Sequence, residues 1–140
     1  MALKLNSVVC LATLLQLFGW LALAAPLKEV PIKLTVVFDV SDDEAALQLY
    51  HTSALPGGSL LGALRRLQHA NSDFKFSVTE DPDYGFYLES VNGVAGSHAE
   101  HTYWQILAEV HGGELTPIDV GVGCYSPKAY EHITLKLANW

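Results

Sequence analysis

Past residue 25, one stretch alone repeats its apolar residues at helical spacing, and that confines the fold to sheet structure carrying a single helix. Leu60, Leu61, Leu64 and Leu67 fall on one face of a helix over Leu60–Ala70, leaving Arg65, Arg66 and Gln68 to face water. Ser59, after the breaker Leu55-Pro56-Gly57-Gly58, supplies an N-cap, and Asn71 a stop. Elsewhere the period is two. Ile32, Leu34, Val36 and Phe38 alternate along Val30–Val40. Leu47, Leu49 and His51 share one side of Leu47–Thr52, and the acidic turn Ser41-Asp42-Asp43-Glu44 joins the two as a hairpin. Phe74, Phe76 and Val78 alternate next. Phe86–Val91 runs into the turn pair Asn92-Gly93. His101–Val110 reads as a strand, with its Ala and Glu content leaving a helix as the alternative. Gly121–Tyr125 reads as a short strand, and His132–Leu137 closes the chain with Ile133, Leu135 and Leu137 on one side. Two strands, a helix and then several strands predict an α+β domain: a β-grasp-like mixed sheet with one helix packed on one face, the first and last strands side by side at its centre.

The first 25 residues are of another kind. Lys4 is followed by an uncharged, Leu-, Val- and Ala-rich run from Ser7 to Ala25, and Ala22-Leu23-Ala24 places small residues where a signal peptidase reads. The expectation is a signal peptide over 1–24, a single domain over 25–140, and a secreted, extracellular protein that leaves no segment in the membrane. The chain of 140 residues is half hydrophobic, so it can form a core. Losing Lys4 with the leader leaves 7 Lys and Arg against 15 Asp and Glu, a formal charge of −8, which excludes nucleic acid as a natural partner. Losing Cys10 leaves Cys124 alone, so no internal disulfide can hold the domain. A lone Cys is expected to be buried, with pairing between chains as the alternative.

A search for reactive chemistry yields little. There is no nucleophile elbow and no phosphate loop. Gly57-Gly58-Ser59 ahead of the helix can be read as an anion site or as an ordinary helix start. His98 and His101, with His111 and His132 further on, lack the ligand spacing of a zinc site. Asp42-Asp43-Glu44 and the acidic turn at Glu80, Asp81 and Asp83 lack the pattern of a calcium loop. Cys124 and His132 carry no protease signature, so the protein is not expected to be an enzyme. Aromatic residues, by contrast, concentrate in the second half, and alternation puts Tyr103 and Gln105 on one face of their strand, opposite Trp104 and Ile106. An apolar surface with an amide beside it suits a large planar ligand or a protein partner.

Several strings in that half resemble one family. Thr102-Tyr103-Trp104-Gln105-Ile106-Leu107 is similar to the aromatic-Trp-Gln strand of the cobalamin carriers (transcobalamin, intrinsic factor and haptocorrin). So are Leu115-Thr116-Pro117-Ile118-Asp119-Val120-Gly121-Val122, Tyr125-Ser126-Pro127 and the closing Glu131-His132-Ile133-Thr134-Leu135. Pro56-Gly57-Gly58-Ser59-Leu60-Leu61 and the segment from Tyr84-Gly85-Phe86 to Ser90-Val91-Asn92-Gly93-Val94 fit the same template in order and spacing. The resemblance is to the small β-rich domain of those carriers, here placed directly behind a leader and without their helical barrel. It implies binding of cobalamin or a related corrinoid. The residues it points to are Trp104 and Gln105, the loop Thr116, Pro117 and Ile118, and Leu88, Glu89 and Ser90 before the turn. Glu89 stands where a small or neutral residue fits the family pattern. Without a barrel the ligand is half in water, so the resemblance implies weak binding alone, or a partner that supplies the missing half-site, or a cell-surface receptor. The competing reading is an extracellular protein-interaction module that has lost the vitamin.

Overall fold

Alternation decides the first element: Ile32, Leu34 and Val36 are buried, and the residues between them are not. In a computed structural model, which describes residues 28–38, 47–83, 85–109 and 112–140, they lie on strand β1 (Val30–Val37). The leader, the acidic turn at 41–44, Tyr84 and the end of the predicted strand at Val110 lie outside the described residues. Strand β2 (Leu47–Ala54) pairs antiparallel with β1, setting Tyr50 opposite Leu34 and Leu49 opposite Thr35. Directly paired residues share a face. Tyr50 therefore joins Leu34 in the core, while Leu47, Leu49 and His51 share the outer face, Leu49 at 59% exposed. Their common side is as predicted, and the register makes it the wet one.

Helix α1 spans Leu60–Ala70 and buries Leu60, Leu61, Ala63, Leu64 and Leu67. The Ser59 hydroxyl accepts from Gly62 N–H at 3.2 Å, and Asn71 N–H closes the last turn on Leu67 C=O. Leu60 N–H donates to Tyr125 C=O at 2.7 Å and Leu61 N–H to Val122 C=O at 2.9 Å. The amide groups that would attract an anion at a helix N-terminus are thus bonded to the loop before the last strand, so Gly57-Gly58-Ser59 is a helix start and not an anion site.

Beyond the helix come β3 (Phe76–Asp81), β4 (Gly85–Val91) and β5 (Val94–Ala95), then β6 (Thr102–Glu109), β7 (Thr116–Pro117) and β8 (His132–Asn139). Asn92 and Gly93 have φ of 49° and 85°, the two positive values a tight two-residue hairpin turn demands. The strands form two sheets where one was predicted: a five-stranded sheet ordered β2-β1-β8-β6-β7 and a three-stranded sheet ordered β3-β4-β5. β1 and β8, the first and last strands, are parallel neighbours inside the large sheet, which is therefore mixed. Gly121–Tyr125 is a turn rather than a strand, because its carbonyl groups serve the helix N-terminus. Phe74, Leu64, Ile133 and Leu135 join helix and large sheet in one core. No helix among the described residues is long and apolar enough to cross a membrane.

Candidate functional site

Strand β6 is paired along its whole length with β8, but only in part on its other side. Thr102 exchanges both backbone hydrogen bonds with Ser97 at one end. At the other, β7 covers Leu107 and Ala108, and Ile118 N–H donates to Ile106 C=O at 3.1 Å. Between those attachments Tyr103, Trp104 and Gln105 border an open groove of about 260 Å³. Phe86, Tyr87 and Leu88 of β4 form one wall, and Pro117, Ile118 and Val120 to Val122 the other. Tyr87, at 50% exposed, and Val120, at 48%, are its lips. Gly123 lets the second wall close down, since a Cβ there would stand 3.0 Å from the Phe86 ring.

The structure brings together Gln105, Pro117, Ile118, Leu88 and Trp104 from the predicted set. Trp104 is only 4% exposed, and its ring N–H donates to Val94 C=O at 2.8 Å, so it lies at the floor of the groove and ties β6 to β5. Thr116, Glu89 and Ser90 do not border the groove. The Thr116 hydroxyl donates to Ala108 C=O at 3.3 Å, fastening β7 to β6. On β4 the pairing steps from Ser77↔Ser90 to Val78↔Leu88, leaving Glu89 as the extra residue of a bulge. The bulge resets the alternation, so Leu88 and Val91 are both buried while Glu89 is exposed and accepts from the Thr79 hydroxyl at 3.1 Å. Ser90 meets the Ser77 hydroxyl at 2.6 Å. Phe86, Tyr87 and Val120 were not among the predicted site residues. The aromatic concentration signals the first two, and nothing local signals Val120.

The second wall is held by a buried acid. Glu131 is 0% exposed; its carboxyl accepts from Lys128 N–H at 2.6 Å and from the Tyr125 hydroxyl. Burial first, then the hydrogen bond and the charge of Glu131, hold the Tyr125 hydroxyl well above the usual phenol range, so it stays a donor. Cys124 is exposed, against expectation: the Gly121–Cys124 turn puts Val122 inside and the thiol-bearing residue outside. His98 and His101 both pack on Trp140, with ring centroids 5.6 and 5.2 Å away, an aromatic cap at the end of β6 and β8. His132 has one ring nitrogen 2.6 Å from the Thr35 hydroxyl and the other 3.7 Å from Glu109. Among the described residues no three His, Cys, Asp or Glu side chains converge as a metal site would require.

No family model matches the chain. It is 30% identical over 121 residues to the cobalamin binding intrinsic factor of Canis lupus familiaris, covering 83% of this chain and 28% of that protein. For the Homo sapiens intrinsic factor the identity is 30% over 112 residues, covering 76% and 25%, and for transcobalamin-2 of Bos taurus it is 30% over 115 residues, covering 82% and 24%. The chain thus spans about a quarter of the length of the curated relatives it matches. Haptocorrin, solved in complex with Cbi, superposes with a TM-score of 0.66 at 20% identity over 83% of this chain and 26% of its own. A protein of Ruminococcus gnavus superposes at 0.53 with 12% identity, over 80% of this chain and 99% of its own, so this fold makes up nearly the whole of that chain.

Proposed function

The chain is a homologue of part of the cobalamin-binding intrinsic factor/transcobalamin family, with the fold of the haptocorrin C-terminal domain, and from that premise we propose that its groove beside β6 is a corrinoid-contacting face. The observation that carries this reading is that the groove is built by the same strand and loop that carry the family likeness, Tyr103 to Ile106 and Pro117-Ile118. The apolar walls offer a flat macrocycle contact area. The Gln105 amide, which can donate and accept, suits the amide side chains of a corrin periphery. The groove is open and smaller than the ligand, so the domain by itself covers one face and binds weakly. The remaining parts of the reading are a leader removed after Ala24, an extracellular carrier rather than a catalyst, and a receptor or partner completing the site. Amino-terminal sequencing of protein recovered from culture medium tests the leader: a start at Ala25 is expected, and an uncleaved, membrane-retained chain would remove the carrier reading.

Absorbance titration of the full chain with cobalamin tests the site. The expected dissociation constant is micromolar or weaker, about −8 kcal/mol at best. Val120→Asp puts a charge on the exposed lip and should weaken binding at least about tenfold, because that carboxylate would be desolvated without a partner. Gln105→Ala should cost about 1 kcal/mol, the worth of a hydrogen bond. Ile118 is less suitable for this test: its side chain packs against the core, so Ile118→Asp disturbs the fold as well. No spectral change with ligand near millimolar would end the carrier reading in favour of a protein-interaction module.

A further inference from the structure

A second groove, of about 620 Å³, runs between α1 and β3 and is bordered by Arg65, Gln68 and His69 of the helix and Phe76 and Val78 of the strand. Among the described residues β3 is an edge strand. Its backbone shows which way the edge faces. Phe76 N–H does not join the ladder to β4; it donates to the Gln68 side-chain oxygen at 2.9 Å. Backbone groups alternate sides along a strand, and the bulge lies on β4, so the N–H and C=O of Val78 and Glu80 also point away from the sheet. A helix amide group thus stands where the first carbonyl of a neighbouring strand would be, and among the described residues no backbone hydrogen bond from outside the β3–β4 ladder reaches Val78 or Glu80.

The rim has a sign. Arg65 is exposed and forms no ion pair among the described residues, and His69, one turn on, shares its face. The chain as a whole carries −7 with His neutral, and Arg65 sets one positive charge on this side of the helix. The floor of half-buried Phe76 and Val78 is apolar. We infer that this groove takes an extended acidic segment of a partner protein, which adds to β3 as a fourth strand and sets a carboxylate against Arg65. Main-chain hydrogen bonds to Val78 and Glu80 hold the segment. Alternate side chains reach the apolar floor, and the acidic ones meet the helix rim.

The test uses the full chain and two labelled heptapeptides with blocked ends, one alternating valine and glutamate, the other alternating valine and lysine, read by fluorescence polarisation. The glutamate peptide should bind at least about tenfold tighter than the lysine peptide. Arg65→Glu, at an exposed helix position, should leave the circular dichroism unchanged and reverse that preference. Val78→Pro removes one outward N–H at an edge position where proline is tolerated, and should weaken binding of the glutamate peptide at least about tenfold. If that variant unfolds, the Arg65→Glu comparison decides alone. Equal binding of the two peptides, no binding up to about 1 mM, or an unchanged preference in Arg65→Glu overturns the inference. A concentration-dependent dimer that competes with the glutamate peptide and is lost in Val78→Pro assigns the edge to a second copy instead, and overturns it equally.

Discussion

Glu131→Ala should destabilise the domain by about 3 to 5 kcal/mol, since it strips the acceptor from two part-buried donors at once and leaves a cavity in place of a fully buried side chain. The donors are Lys128 N–H and the Tyr125 hydroxyl, and Glu131 is fully buried. The damage should spread to the groove. Tyr125 C=O and Val122 C=O receive the first amide groups of α1, so the loop that carries Val120 to Val122 is fixed at both the carboxyl group and the helix. Urea denaturation gives the stability. Glu131→Gln keeps an acceptor oxygen and should cost less than half as much. The network also has a pH signature. Tyr125 keeps its proton in the folded state above the ordinary phenol value of about 10, where the unfolded chain ionises. The unfolded state then binds fewer protons than the native state, so the stabilisation is complete below about pH 10 and falls as pH rises past it. Tyr125→Phe should flatten that fall. A denaturation series from neutral to alkaline pH in which wild type and variant run parallel would exclude this coupling.

Trp104→Ala should cost about 3 to 5 kcal/mol as well, the range for truncating a large buried aromatic side chain. The ring is buried, meets the edge of Phe38 at 5.9 Å between centroids, and donates to Val94 C=O. Trp104→Phe retains most of the packing and orphans that carbonyl, for a loss of about 1 to 2 kcal/mol. The comparison separates floor from contact. A floor residue lowers stability while the folded variant binds cobalamin within about threefold of wild type, under 1 kcal/mol. A contact residue does the reverse. Denaturation and absorbance titration on Trp104→Phe distinguish the two, and a large loss of affinity at unchanged stability would return Trp104 to the ligand-contacting set.

The residues that the sequence places well are those whose neighbours along the chain settle their conformation. Ser59 caps a helix because its own hydroxyl reaches the amide three residues on, and the helix ends at Asn71 as its apolar period ends. Asn92-Gly93 turns the chain because both residues adopt positive φ at little cost. Of the candidate residues that the family likeness marked, Gln105, Pro117 and Ile118 border the groove. Glu89, Ser90 and Thr116 lie in the same strings but do not border it. Whether those side chains reach the groove depends on a bulge opposite β3 and on the attachment of β7, both of which are pairings between distant segments.

Leu47 and Leu49 show the same division from the other direction. Period two puts them on one side of β2, and no local rule says whether that side is wet. The register with β1 turns them outward and brings Tyr50 and Ala54 in. The split into two sheets, the exposure of Cys124 and the open edges beside β6 and β3 have the same origin. By itself, then, the amino-acid sequence determined the turns, the single helix and its caps, the alternating strands and the family likeness, because short-range sterics and hydrogen bonding act within a few residues. Tertiary structure alone decided which face of each strand is covered and which edges stay open, because a side chain's burial depends on what distant segment packs against it, and that is set only when the whole core closes.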